Sequence, residues 1–272
     1  MKELAGRKLI LILGIPFGIG CYLIGNPIFA VVTTIVMLGG LDEFYTICEK
    51  KGGHPNRIFG FIITLLIAVS YSGIYAHHQI TIMGIICLSV ISVFFIEIIN
   101  KKEEPLLNIS TTFLGILFVP CLLGTIIYLR QMDHIYNSNV VLALFLSVWF
   151  ADIAAFFFGT KWGNKKIVPM ISPKKSWVGS ISGFLASLLV FVLFHELGFL
   201  GIRYSLLDSV IFGIISGIFS QLGDFSESLL KRDVGVKDSG NLLRGHGGIL
   251  DRFDSLLFSS SMIYIHFLIF ID

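Results

Sequence analysis

The chain reads as an all-α, polytopic membrane protein of about nine transmembrane helices, and three observations predict this. Charged residues make up 14% of its 272 residues, against about 25% in soluble domains. The apolar set reaches 55%, with 25 Phe, and the mean hydropathy is +0.86. Lysine and arginine gather in alternate connections between the apolar segments. The first two observations exclude a disordered chain, a basic nucleic-acid-binding domain and an ordinary cytosolic enzyme. The net charge of +2 says little as a total, whereas its distribution sets the topology.

A bilayer core of about 30 Å needs about 20 apolar residues per helix. Nine segments meet that length, at 8–25, 28–47, 58–76, 80–99, 107–129, 139–159, 178–198, 205–230 and 250–270. The first breaks at Gly25-Asn26-Pro27, and the second ends at Glu49-Lys50-Lys51. His77-His78-Gln79 joins the third to the fourth, and Lys101 to Pro105 separate the fourth from the fifth. Two longer basic loops follow the sixth and eighth. The first apolar run leads into further spans and lacks a small-residue cleavage site, so it predicts no cleavable signal peptide. Cys21, Cys48, Cys87 and Cys121 form no CxxC or Cys/His spacing and read as buried thiols.

With this span count, 18 of the 20 Lys and Arg fall on one side of the membrane; only Arg130 and Arg203 lie opposite. The positive-inside rule then puts the N-terminus and the basic loops in the cytoplasm and the C-terminus outside. In a bacterium this is a multi-pass protein of the inner (cytoplasmic) membrane. Residues 1–135 read as an N-terminal transmembrane scaffold of about five helices. Residues 136–272 read as a C-terminal catalytic half with the two basic cytoplasmic loops.

Carboxylates inside spans are costly and mark functional sites. Asp152 lies in the sixth span, Asp224 in the eighth, and Asp251 and Asp254 open the ninth. All four fall at the cytoplasmic depth, as do Asp42 and Glu43 at the end of the second span. Glu97 and Glu196 read as interfacial. Asp251 and Asp254 share a helix face. With Asp224 they form a candidate carboxylate cluster, whose mutual repulsion a cation would relieve. Hard oxygen donors suit Mg²⁺, which takes one or two carboxylates plus substrate phosphates. The loop from Lys231 to Gly240 supplies cations, and Gly245-His246-Gly247-Gly248 supplies backbone that a phosphate can approach closely. Ser172-Pro173-Lys174-Lys175-Ser176-Trp177 adds two more lysines and two hydroxyls. Together these residues describe a polyphosphate site.

The run Ser228-Leu229-Leu230-Lys231-Arg232, then Lys237-Asp238-Ser239-Gly240, then His246-Gly247-Gly248-Ile249-Leu250-Asp251-Arg252-Phe253-Asp254 resembles the signature of the phosphatidate cytidylyltransferase (CDP-diacylglycerol synthase) family. The Ser172–Trp177 stretch is similar to the family too, as is Asp152 followed by Phe156-Phe157-Phe158-Gly159. Two positions depart: Arg244, where the family has Pro or Gly, and Val178, where it often has an acidic or amide residue. The resemblance implies transfer of the cytidylyl group of CTP to phosphatidate, giving CDP-diacylglycerol and pyrophosphate. It implies Asp224, Asp251 and Asp254 as Mg²⁺ ligands, with the number of cations open, and Lys237 and Asp238 as catalytic partners. Ser172, Pro173, Lys174, Lys175, Ser176, Lys231, Arg232, His246, Gly247, Gly248 and Arg252 would bind substrate. CTP, phosphatidate, the lipid bilayer and a second copy of the chain would be the partners, and nucleic acid would not. Two other readings stay open: CTP-dependent transfer to a polyprenyl, phytyl or archaeal ether lipid phosphate, and a cation-coupled secondary transporter.

Overall fold

The computed structural model describes residues 18–73, 78–100, 103–240 and 247–271. Among these the regular structure is helical, with one isolated antiparallel bridge between Lys166 and Ser176. After a short helical stretch at 18–24, the order is α1 (Asn26–Glu49), α2 (Arg57–Tyr71), α3 (His78–Asn100), α4 (Pro105–Ile116), a π turn (Leu117–Cys121), α5 (Thr125–Tyr136), α6 (Val140–Trp162), α7 (Trp177–Glu196), α8 (Leu206–Asp233) and α9 (Leu250–Phe270). Seven helical segments among the described residues are long and apolar enough to cross a membrane. The predicted first span lies mostly outside the described residues.

Two elements differ from the sequence reading. The predicted third span is a 15-residue helix, α2, short of the roughly 20 residues a crossing needs. The predicted fifth span does not stop near 129. Pro120 lacks an N–H and would clash with the carbonyl four residues back. The chain absorbs this in the π turn and runs on helically to Tyr136. Arg130, expected in a loop, is therefore buried in α5, within electrostatic reach of Asp133.

The chain forms two compact units, one holding Met1–Tyr128 with Asp233–Arg252, the other Leu129–Arg232 with Phe253–Asp272. In the first unit, the fully buried Tyr45 donates its hydroxyl to the Thr112 carbonyl at 3.0 Å. Its ring is flanked by Gly60 and Gly115, where any Cβ would strike it. Asn108, also buried, accepts from His54 N at 2.8 Å and donates to Glu97 at 2.7 Å. Glu97 is thus a buried, hydrogen-bonded acid near the end of α3. Asn56 caps α2 by accepting from Phe59 N at 3.1 Å.

In the second unit, α6 and α7 meet through small residues four apart: Ala151, Ala155 and Gly159 on one helix, Gly179, Gly183 and Ser187 on the other. A Cβ on Gly179 would lie 2.8 Å from the Ala155 carbonyl, and one on Gly183 3.1 Å from that of Ala151. Close backbone approach of this kind drives helix association in lipid, where no hydrophobic effect assists it. Gly213 and Gly217 bring α8 equally close to Leu188 and Phe184 of α7. Hydroxyls tie the three helices together: Ser147 and Ser216 lie 2.6 Å apart, and Ser187 donates to the Ser147 carbonyl at 3.3 Å. Replacing Gly179 by Leu must push α6 from α7. We expect a loss of about 1–3 kcal/mol, read as a lower thermal midpoint in detergent, whereas Ile181→Leu on the exposed face should leave it unchanged.

Candidate functional site

The second unit contains a cavity of about 500 Å³. Gly159, Gly163, Gly179 and Gly183, with Ala151 and Ala155, give it thin walls. Its polar lining comes from Asp152, Thr160, Lys166, Lys174, Lys175, Ser176, Ser180, Ser220, Gln221, Asp224 and Ser255. The close packing that joins α6 to α7 therefore also makes room for polar groups beside them.

The basic loop between α6 and α7 is folded back on itself. Trp177 N donates to Lys165 O at 3.0 Å and Ile167 N to Lys175 O at 3.2 Å. At its end Ser176, buried, caps α7 by accepting from Gly179 N at 3.3 Å. Arg232, near the end of α8, donates through Nε to the Ile171 carbonyl at 3.2 Å. This fold presents Pro173, Lys174, Lys175 and Ser176 to the cavity.

Opposing charges meet there. Lys175 is ion-paired with Asp224, and its Nζ lies 4.2 Å from the Phe225 ring centroid. Ser228 donates to Asp224 at 3.3 Å. Asp254 is buried, accepts from Ser255 N at 2.6 Å, and is within electrostatic reach of Asp224, Lys175 and Lys231. Its carbonyl abuts Gly223, where a Cβ would collide with it. Lys231 is itself buried and pairs with Glu227 at 2.6 Å. Gln221 is held by Ser180 and by the Ser180 and Gly217 carbonyls.

The remaining signature residues lie in the first unit. Asp251 accepts three hydrogen bonds on Oδ2: from Ser239 N at 2.9 Å, Ser239 Oγ at 3.0 Å and Gly248 N at 2.7 Å. Gly247 has φ +77°, and a Cβ there would press on the Asp251 carboxylate, so both conformation and space require glycine. Lys237, Asp238 and Arg252 are exposed. Among the described residues no group of three or more His, Cys, Asp or Glu side chains is placed to hold a metal ion. His246 and Arg244 lie outside the described residues, and Ser172 is in the basic loop but not in the cavity wall.

Several residues escaped the sequence reading. From sequence Glu43 reads as a helix-end acid like Asp42, yet it is buried against the signature loop. Lys166, Thr160, Ser180 and Gln221 line the cavity without belonging to any motif recognised in the sequence. The repeat Ala151, Ala155, Gly159, Gly163 is visible in the sequence as small residues at every fourth position, and that signal could have marked the helix contact.

A family model described as "Cytidylyltransferase family" matches residues 6–270. The phosphatidate cytidylyltransferase of Synechocystis is 30% identical, with 93% of this chain and 92% of that protein covered. That of Staphylococcus haemolyticus is 30% identical over 95% of this chain and 97% of its own. That of Bacillus subtilis is 33% identical over 68% and 66%.

The Lys175–Asp224 pair is about one-third exposed on both sides, so solvent weakens it. A double-mutant cycle with Lys175→Ala and Asp224→Ala should give a stability coupling of about 0.5–1 kcal/mol. A coupling near zero would mean that the two side chains do not pair.

Proposed function

The chain belongs to the cytidylyltransferase family, and from that premise we propose that it transfers the cytidylyl group of CTP to phosphatidate, giving CDP-diacylglycerol and pyrophosphate for phospholipid synthesis. The observation that carries this reading is the cavity of the second unit. It sets Lys166, Lys174 and Lys175 beside Asp224 in a chain matched by the family almost from end to end.

In the reaction, a phosphatidate phosphate oxygen attacks the α-phosphorus of CTP. The new P–O bond forms as the bond from that phosphorus to the bridging oxygen of the β-phosphate breaks, and pyrophosphate leaves with the electron pair. The nucleophile is already an anion, so the step needs no general base and no covalent protein intermediate. It needs positioning and compensation of the negative charge that accumulates on phosphoryl oxygens. Lys174 and Lys175 are suited to that compensation, with the Ser172 and Ser176 hydroxyls as donors beside them. Lys175 would exchange its contact with Asp224 for phosphate oxygens when CTP enters. The signature residues Lys231, Arg232, Lys237, Asp238, His246, Gly247, Gly248 and Arg252 would hold and orient the remaining phosphates.

The donor chemistry fits Mg²⁺. Asp224 and Asp254 offer hard carboxylate oxygens within one unit, and Mg²⁺ takes one or two such groups with water and phosphate completing its shell. Bound there, it would withdraw charge from the transferring phosphoryl group. Asp251 as a third ligand is part of the same proposal. So are a homodimer and a cytoplasmic-membrane location with the N-terminus and basic loops in the cytoplasm, an orientation that follows from the distribution of Lys and Arg when the α2 segment is counted as a crossing. The family does not favour transfer to another lipid phosphate or secondary transport.

Purified protein given phosphatidate, Mg²⁺ and CTP labelled at the α-phosphate should move label into the lipid phase. Asp224→Asn should lower the rate at least about 100-fold, the scale set by losing one electrostatic partner of the reacting charge. Label entering a polyprenyl phosphate instead would reassign the acceptor. Chelation by EDTA should abolish transfer, and added Mg²⁺ should restore it; transfer that persists through chelation would remove the metal from the proposal.

A further inference from the structure

Glu43 sits in the last two turns of α1 beside Asp42, but the two acids do different work. Asp42 pairs with Arg57, which also bonds Glu49 at 2.8 Å. Glu43 turns inward and is buried. Its carboxylate accepts from Ser239 Oγ at 2.8 Å, from Ile249 N at 2.8 Å and from Leu250 N at 2.9 Å. These partners lie about 200 residues further along the chain. Two are backbone donors at the start of α9, where a negative charge is favoured by the helix dipole.

We infer that Glu43 is the positioning residue of the signature loop, fixing Ser239, Ile249 and Leu250 and through Ser239 the carboxylate of Asp251. The inference rests on the cytidylyl-transfer reading, in which that loop serves the reaction. The Ser239 hydroxyl lies within hydrogen-bond distance of both Glu43 and Asp251. It has one proton, so the two carboxylates share a single donor. Displacing Glu43 therefore changes what Asp251 feels. The loop glycines fit the same account. A Cβ on Gly240 would lie 2.5 Å from Glu43 Oε1, and one on Gly248 would collide with Glu43 Oε2 and Ser239 Oγ. These glycines leave room for a protein carboxylate, a requirement separate from any approach of substrate phosphate. The groups that face Glu43 here are donors, so a carboxylate suits the place better than an amide, whose NH₂ would meet N–H or O–H.

The test combines hydrogen exchange with kinetics, on wild type, Glu43→Gln, Glu43→Ala and Ser239→Ala in detergent. The inference expects exchange at Ile249 and Leu250 to accelerate at least about tenfold in the Glu43 variants. It expects kcat to fall about 10- to 100-fold, the cost of a small misplacement of reacting groups. KM for CTP and for phosphatidate should change less than about threefold, and the thermal midpoint should hold within a few degrees. Because Glu43 acts through Ser239, the Glu43→Gln and Ser239→Ala losses in kcat should not multiply in the double variant. If Glu43→Ala fails to fold, Glu43→Gln and Ser239→Ala carry the test. Unchanged exchange overturns the inference, as do faster exchange with wild-type kcat and losses that multiply. A wild-type protein that protects these amides but transfers no cytidylyl group overturns the activity reading, and with it the loop's role in that reaction; the exchange data would still report the Glu43 contact.

Discussion

A helix that starts in an apolar environment leaves backbone N–H groups without partners, and an apolar medium offers no water to satisfy them. Much of this protein's polar organisation follows from that constraint. The donors at the start of α6 go to Asp133, which accepts from Val140 N and Val141 N. Those at the start of α9 go to Glu43. Asn56 and Ser176 cap α2 and α7 locally. Ser205 and Asp208 cap α8 reciprocally, each side chain accepting from the other's backbone N–H. Asp133 and Glu43, acids that would be liabilities in a membrane, are stabilised because they meet donors the fold has to satisfy anyway.

The second constraint is the width of the helix contacts. Small side chains at every fourth position let α6, α7 and α8 approach at backbone distance in the second unit. The same absence of side chains leaves the cavity beside them. Glycine in this protein therefore has two separable uses: contact between helices, as at Gly179 and Gly213, and clearance around a carboxylate, as at Gly247 and Gly248. A sequence motif rich in glycine does not reveal which use applies.

Much of the fold was legible because apolar length is a one-dimensional property. Runs of about 20 apolar residues marked α1, α3, α6, α7, α8 and α9 to within a few residues. The exceptions have local causes. The fifth span runs on past 129 to Tyr136, with Pro120 accommodated by a π turn, and the α2 segment is shorter than its hydropathy suggested. Of the candidate site, Lys174, Lys175, Ser176 and Asp224 do share one cavity, as their chemistry suggested. Gln221 and Lys166 were not legible, because they belong to no spacing rule and matter only through the fold. Glu43 was hidden for a different reason: its partners lie about 200 residues downstream, beyond the reach of any local pattern.

That separation has a consequence for how the protein is made. Glu43 and the Ser239 hydroxyl that meets it are 196 residues apart. At about 5–20 residues per second, synthesis takes roughly 10–40 s to reach the partner. Throughout that interval α1 is already available for insertion while its carboxylate lacks the donors that later surround it. In the last two turns of α1 such a charge is cheap to hold, because it can reach the water interface until the signature loop emerges. Burial of Glu43 is then a late event, coupled to the arrival of α9, and the signature loop takes its shape only after most of the spans are in the membrane.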